Sequence, residues 1–304
     1  MKPWCSIIIS TKNNELTIKH VLRSTLTLAN AYDIELIIVE GGSVDNTYSI
    51  ISNFTNEFKH LYFSVKILRD PGISLSYARH IGFMDSEGEI VVFLDGDTGL
   101  TSSFKYYLEE ELAVHDLISP LFIVVPVDRA TRTFNLLLYT HTALVLKNSN
   151  ATLFNVPPAA RVYKRKVLER IRGYPISSRF FGEDRIATAL AIRLGFRHKF
   201  STRLKLFKID EPGFGSYWKK HYRYALGIHR DLISLGRSIL RGYVLARRLN
   251  HINVLFPILS ILYAGRSFAT LRNIRESIEV SLMKYLIDLA MFIGDLRGSI
   301  YGKK

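Results

Sequence analysis

Two hydrophobic periods share the first hundred residues. Residues 5–10 (CSIIIS) and 35–40 (ELIIVE) are short, β-branched and almost continuously apolar, as strands buried on both faces must be. Between them, residues 16–32 space their apolar side chains three and four apart, the mark of an amphipathic helix. Residues 61–68 (LYFSVKIL) resume the strand pattern and run into the turn Asp70-Pro71-Gly72. Residues 74–88 return to helical spacing, with Gly88 as the expected stop. Residues 89–95 (EIVVFLD) are the next strand.

Alternating strands and helices predict an α/β fold, a mostly parallel, Rossmann-like sheet with helices on both faces. Ligands bind such sheets beyond the carboxyl ends of the strands. Three polar loops would share that edge: Thr11-Lys12-Asn13-Asn14, Glu40-Gly41-Gly42-Ser43 and Asp95-Gly96-Asp97. Further strands are expected at 122–127, 160–165 and 203–208, with a helix over 185–194 and helical pattern from about 216 onward. Ile278, Leu282, Leu286, Leu289, Ile293 and Leu296 recur at helical spacing. Packing of this stripe on the main domain is the first expectation, and seating in a membrane interface the second. The longest apolar run, residues 252–265, is interrupted by Asn253 and Pro257 and is short for a membrane span. The expected organisation is a domain over 1–228, with a donor-side half to about 100 and an acceptor-side half after it. A helical, basic region over 229–304 follows.

Composition narrows the class. The 304 residues are 48% hydrophobic, enough for a sizeable core, and a single cysteine excludes an internal disulfide framework and a cysteine-rich zinc site. The opening residues lead into a strand without a signal-peptide pattern, so the expected location is the cytoplasm. Charge is segregated. Residues 1–100 carry 8 Lys/Arg and 12 Asp/Glu, whereas residues 161–208 carry 14 and 3 and residues 209–304 carry 15 and 7. A basic back half suits a polyanionic partner such as phosphate groups or an anionic membrane face, which would hold the protein peripherally. Binding of nucleic acid would explain this charge but leaves the acidic strand-end loops without a role, so no nucleic-acid partner is expected.

Those loops carry the chemistry. Two carboxylates at a strand end, Asp95 and Asp97, repel each other unless a cation intervenes, and hard oxygen ligands suit Mg²⁺ or Mn²⁺ shared with substrate phosphates. Gly96 between them permits a turn and a close approach. Residues 41–47 (GGSVDNT) offer backbone N–H groups to a nucleotide, or an ordinary helix cap through Ser43 or Asp45. Arg79 is in range of a diphosphate or of a surface ion pair. Glu183-Asp184 is a helix-starting pair or a general base with its neighbour. Tyr217 and Trp218 suit an acceptor platform or core packing, and His221 a further metal ligand or packing. His115, His141 and His198 read as structural.

Taken together, SIIISTKNN, IIVEGGSVDNT, GISLSYARHIGF, VVFLDGDT, FFGEDRIATALAIRLGF and KKHYRYALG resemble, in order, the motifs of family 2 glycosyltransferases. The resemblance covers about residues 4–228 and implies the GT-A fold and an inverting, metal-dependent transfer from a nucleotide-diphosphate sugar. It implies that Thr11, Glu40, Gly42 and Asp45 line the nucleoside site and that Arg79 supports the diphosphate. Asp95 would contact ribose or the metal's water shell, and Asp97 would bind Mn²⁺ or Mg²⁺. Asp184 would be the general base with Glu183 its partner, and Arg223 would steady the leaving diphosphate or the acceptor. A glycan, lipid-linked or protein-linked hydroxyl would accept the sugar, and a polyprenyl-phosphate sugar synthase is the alternative of the same fold. The sequence departs from the family pattern at Glu40-Gly41, at His80, and at Lys220 and Tyr224. A sugar-phosphate nucleotidyltransferase is disfavoured, since Ser10–Asn14 lacks the Gly-rich, Arg-containing loop that class uses.

Overall fold

The computed structural model describes residues 1–147, 160–176, 183–231, 253–254 and 258–301. Its chain divides into two compact units, one of residues 1–123 and 157–209, the other of 124–156 and 210–304.

Among the described residues, the first unit is built on an eight-stranded sheet. In chain order the strands are β1 (Cys5–Thr11), β2 (Ile34–Glu40), β3 (Ser64–Arg69), β4 (Ile90–Asp95), β5 (Thr98–Leu100), β6 (Leu117–Val124), β7 (Val162–Lys164) and β8 (His198–Lys208). Their order across the sheet is β3-β2-β1-β4-β7-β6-β8-β5. Strand residues alternate between two cores. Ile7, Ile9, Leu36, Ile38, Val92 and Leu94 face a cluster with Val21, Leu22, Ile51, Phe104 and Leu108. These come from the helices α1 (Ile18–Ala29), α2 (Thr47–Phe58) and α4 (Phe104–Val114). Ile8, Ile37, Val39, Val91 and Phe93 face the opposite cluster with Ala78, Phe83, Val167, Ala187 and Ala191. Those lie on α3 (Leu75–Met84), α6 (Arg165–Arg170) and α7 (Glu183–Arg193). Burial on both faces is why these strands read as unbroken apolar runs, each fully buried Ile or Val contributing about 1.5–3 kcal/mol.

The sheet is mostly parallel, as expected, with an antiparallel part, and two element bounds differ from the expected ones. Strands β1 to β4 are mutually parallel, but β7 runs antiparallel to β4 and to β6, and β5 antiparallel to β8. The strand expected at 122–127 starts earlier, at Leu117, and ends at Val124. Helix α3 stops at Met84 rather than Gly88. That glycine serves a close crossing instead: a Cβ there would sit 2.4 Å from the Ser6 nitrogen.

The second unit is helical, with α5 (Arg129–Lys147), α8 (Phe214–Asp231) and the helices Ile258–Leu271 and Ile274–Tyr301. Its core joins Phe134, Leu137, Tyr217, Val280, Met283 and Ile287. The stripe expected to pack inward on the last helix is in part turned out: Ile278 is 53% and Leu282 58% exposed, while Asp288 is 1% exposed. Asp288 is stabilised there by Lys284 at 2.5 Å and by an Asn253 amide donor at 2.7 Å. A buried ion pair with its hydrogen bonds satisfied takes the place of an apolar contact. Tyr217 is core, its ring 4.4 Å from that of Phe134. Among the described residues no helix is long and apolar enough to cross a membrane.

Candidate active site

Because β1, β2 and β4 are parallel and in register, Thr11, Glu40 and Asp95 end side by side: Thr11 pairs with Glu40, and Ser10 with Asp95. The loops leaving β1 and β2 then lock together. Asn13, at φ +52°, accepts from Val44 N–H through its side chain and donates its own N–H to Ser43 Oγ. Asn14 N–H donates to Thr47 Oγ1, and Asp45 accepts from the backbone of Glu15 and of Thr47. Glu40 is 1% exposed and accepts from Gly42 and Ser43 N–H at 3.1 and 2.6 Å. Burial pushes its carboxyl up, but these bonds and the Arg69 charge outweigh it and hold the group below its ordinary value. Gly42 itself sits at φ +71° with open space where a side chain would be.

Gly96 is used differently from the sequence expectation of ligand approach. A Cβ there would meet Asn14 Oδ1 at 2.3 Å and Thr11 Oγ1 at 2.4 Å, and those two atoms are hydrogen-bonded to each other at 3.0 Å. The chain's own β1 loop is what comes close, and Thr17 Oγ1 donates to the Gly96 carbonyl at 2.7 Å. The turn that carries Asp95 and Asp97 is thereby fixed to the first loop.

Two buried arginines organise the carboxylates. Arg79, 1% exposed, donates to Asp95 at 2.5 Å and to Glu183 at 2.6 Å, and its guanidinium lies over the Tyr174 ring. It is enclosed among these groups, so its place is beneath the carboxylates rather than on an open face toward a diphosphate. Arg161, 8% exposed, meets Asp95 at 3.1 Å and Asp184 at 3.4 Å. Asp95 is therefore shared by both guanidiniums. Burial opposes its charge, yet Arg161, Arg79 and Lys208 together hold its carboxyl far below the usual range. Glu183 differs: burial, aided by the neighbouring Asp184 charge, pushes it up against the pull of Arg79. Asp184 retains 19% side-chain exposure, against 5% for Glu183. Of the pair, Asp184 is the more exposed.

Asp97 has its own cation. Lys208 Nζ lies 2.7 and 2.6 Å from its two oxygens, and Thr98 Oγ1 donates at 2.7 Å. Pairing of β5 with β8 sets Thr98 opposite Lys208. That pairing depends on Gly99, where a Cβ would strike the Phe207 ring at 2.4 Å. Among the described residues no three His, Cys, Asp or Glu side chains converge as a metal-ligand set.

Thr11, Glu40, Gly42, Asp45, Arg79, Asp95, Asp97, Glu183 and Asp184 thus all belong to the first unit. Arg223 is exposed on α8 of the second. His221, also on α8, donates from Nδ1–H to the Tyr217 carbonyl at 2.8 Å and packs edge-on to Phe134. Burial lowers its pKa to about 4. Its ring is part of the helical packing. His80, one departure from the family pattern, is held against residues 173–174: its Nδ1 meets the Tyr174 carbonyl at 2.9 Å, and a Cβ on Gly173 would collide with its ring.

Nothing in the sequence singles out Arg161, Lys208 or Tyr174. Arg161 and Lys208 lie within strand-like runs of a basic segment and carry the usual look of solvated charges. Only the antiparallel pairing of β7 with β4 brings Arg161, whose carbonyl accepts from Phe93 N–H at 2.8 Å, beside the Asp95 end.

Residues 6–172, more than half of the chain, match the model of "Glycosyl transferase family 2". A similar curated protein is "Probable glycosyltransferase YdaM" of Bacillus subtilis, 22% identical over 233 residues, which cover 74% of this chain and 55% of that protein. Another is "Uncharacterized glycosyltransferase alr2836" of Nostoc, 25% identical over 56% of this chain and 53% of its own. The chain spans about half the length of these curated relatives. Among solved structures, the mannosyltransferase PcManGT of Pyrobaculum calidifontis, in complex with GDP-Man and Mn²⁺, superposes with a TM-score of 0.60 at 15% identity. That match covers 100% of this chain and 89% of PcManGT. S. aureus TarS 1-349 with UDP-GlcNAc gives 0.53 at 15% identity, over 100% and 92% of the two chains. These likenesses give the fold, GT-A, as the sequence motifs imply. By its family match, its ordered strand-end motifs and its fold, the chain belongs to glycosyl transferase family 2.

Proposed function

We propose that this protein is a glycosyltransferase that moves a sugar from a nucleotide-diphosphate sugar to an acceptor hydroxyl by direct displacement, inverting the anomeric configuration. The observation that carries this is the single guanidinium of Arg161, which ties Asp184 to Asp95 and so sets a partly exposed carboxylate beside the Asp95-Gly96-Asp97 turn. In the proposed step Asp184 takes the proton of the acceptor O–H, and the oxygen bonds to the anomeric carbon. The bond from that carbon to the β-phosphate oxygen breaks, and its electron pair leaves with the nucleoside diphosphate. Attack and departure on opposite faces invert the centre. Glu183 and Arg79 act as positioning residues: Glu183 answers the Arg79 charge, so Arg79 can hold Asp95 without leaving a buried cation uncompensated.

The residues present fit a divalent ion held in one way. Asp95 is committed to two guanidiniums, so Asp97, whose side chain is 29% exposed, is the protein carboxylate such an ion would use, with the diphosphate supplying further oxygens. Bound there, Mn²⁺ or Mg²⁺ supplies positive charge to the departing diphosphate. Thr11, Glu40, Gly42 and Asp45 are proposed to frame the nucleoside, and Arg223 to serve the diphosphate or acceptor. The PcManGT and TarS complexes, with GDP-Man and Mn²⁺ and with UDP-GlcNAc, support a donor of this class. The outward-facing Ile278 and Leu282 favour a membrane-seated, lipid-linked acceptor over a free glycan.

The test is a thermal-shift series with UDP- and GDP-sugars, with and without Mn²⁺, on the wild type and Asp97→Ala. A ligand that binds only the folded state raises its apparent stability. A metal-dependent shift in the wild type that disappears in Asp97→Ala supports the assignment. An equal metal-dependent shift in both proteins overturns it.

A further inference from the structure

We propose that Lys208 is an internal rival of the divalent cation: it neutralises Asp97 while the donor is absent and leaves that carboxylate when metal and diphosphate arrive together. The inference rests on the reading of Asp97 as the metal-holding carboxylate and adds what regulates it.

The geometry is specific. Lys208 Nζ bridges both Asp97 oxygens, at 2.7 and 2.6 Å, rather than touching one of them, so it occupies the carboxylate that would hold a metal. The lysine is placed by backbone structure. Residue 208 ends β8 opposite Thr98, the residue that follows Asp97, and Ile209 N–H donates to the Asp97 carbonyl at 2.9 Å. This pins the base of the lysine beside the base of the aspartate. Its side chain is 19% exposed, so the ammonium sits at the rim of the unit rather than in its core.

An ammonium on a flexible four-carbon stem can swing away without backbone movement, unlike the enclosed guanidiniums of Arg79 and Arg161. A metal alone must displace this cation and leave it without its carboxylate. A metal arriving with a diphosphate offers the displaced ammonium new oxygens at short range. Metal and nucleotide should therefore bind with strong mutual coupling, and by linkage each tightens the other by the same factor.

The test titrates Mn²⁺ alone, then Mn²⁺ with saturating UDP or GDP, into the full chain, following the electron paramagnetic resonance signal of free Mn²⁺. Lys208→Met keeps most of the stem and removes the charge, and Lys208→Gln provides a second neutral variant. Circular dichroism checks that each is folded. Both neutral variants should bind Mn²⁺ without nucleotide at least about tenfold more tightly than the wild type, as expected on losing a partly screened cation at contact distance. The factor by which nucleotide improves Mn²⁺ binding should shrink correspondingly. Asp97→Asn in the Lys208→Met background should remove the gain.

Unchanged or weaker nucleotide-free Mn²⁺ binding in the folded neutral variants overturns the proposal. So does a gain that survives Asp97→Asn. If the wild type binds no nucleotide, the donor reading fails, yet the nucleotide-free Mn²⁺ titration still decides the role of Lys208.

Discussion

Replacing Arg161 by methionine should destabilise the first unit, and most strongly at neutral pH. Methionine keeps much of the stem that carries the guanidinium over the Phe122 ring, so the change is chiefly one of charge. Breaking a buried ion pair by removing one partner costs about 3–5 kcal/mol. Asp95 keeps Arg79 at 2.5 Å, however, so part of its compensation survives. The expected cost is therefore about 2–4 kcal/mol at pH 7. The pH dependence follows from Asp95, whose carboxyl is held far below its unfolded value with Arg161 foremost among the charges that lower it. Such a group contributes stability that is present above the unfolded pKa and lost as pH falls through the folded one. Without Arg161 the folded pKa rises, so the contribution at neutral pH is smaller. The gap between wild type and Arg161→Met should then be widest near pH 7 and narrow as pH falls through the folded pKa of the variant's Asp95. The assay is urea unfolding followed by Trp4, which stacks on Tyr32 at 4.1 Å in the first unit. Trp218 is replaced by phenylalanine to leave Trp4 as the sole reporter, since the chain has two tryptophans. A gap below about 1 kcal/mol at pH 7 would refute the role given to the Arg161–Asp95 contact.

Two further outcomes are expected. Gly96→Ala forces a methyl group to within 2.3 Å of Asn14 Oδ1 and 2.4 Å of Thr11 Oγ1; it should cost about 1–3 kcal/mol on the Trp4 signal, and adding Asn14→Ala should recover part of that loss. In the second unit, His221 is half-buried, and desolvation lowers its pKa to about 4. Its contribution is present above the unfolded pKa of about 6.5 and lost as pH falls toward the folded value, so His221→Phe should flatten the acid-side loss by about 2 kcal/mol, read from Trp218 in a Trp4→Phe background.

The parallel half of the sheet is legible in the chain because each of its strands is buried on both faces and leaves an unbroken apolar run. Ile7-Ile8-Ile9 sends alternate side chains to the two cores, and nothing polar interrupts it. The antiparallel half is less legible. Strand β7 has three residues and β5 three, too few to set up a period, and their pairing is decided by partners far away in sequence. The site divides in the same way. Asp95, Asp97, Glu183 and Asp184 stand out because carboxylates next to apolar runs are conspicuous. Arg161 and Lys208 look like the ordinary basic residues of a basic segment, and only strand pairing turns them toward those carboxylates. The last helix misleads for a related reason. Its apolar stripe suggested the buried face, but the Lys284–Asp288 pair with Asn253 satisfies a polar interior and leaves Ile278 and Leu282 outside.

Asp184 as the base next to the Asp95-Gly96-Asp97 turn is the step on which the proposed transfer turns. The direct measurement is donor turnover by Asp184→Asn, with water or acceptor receiving the sugar, alongside nucleotide affinity in the same preparation. Turnover should fall by about 10²- to 10⁴-fold, the usual worth of a general base, while nucleotide affinity changes by less than about twofold. Wild-type turnover in Asp184→Asn would contradict the account.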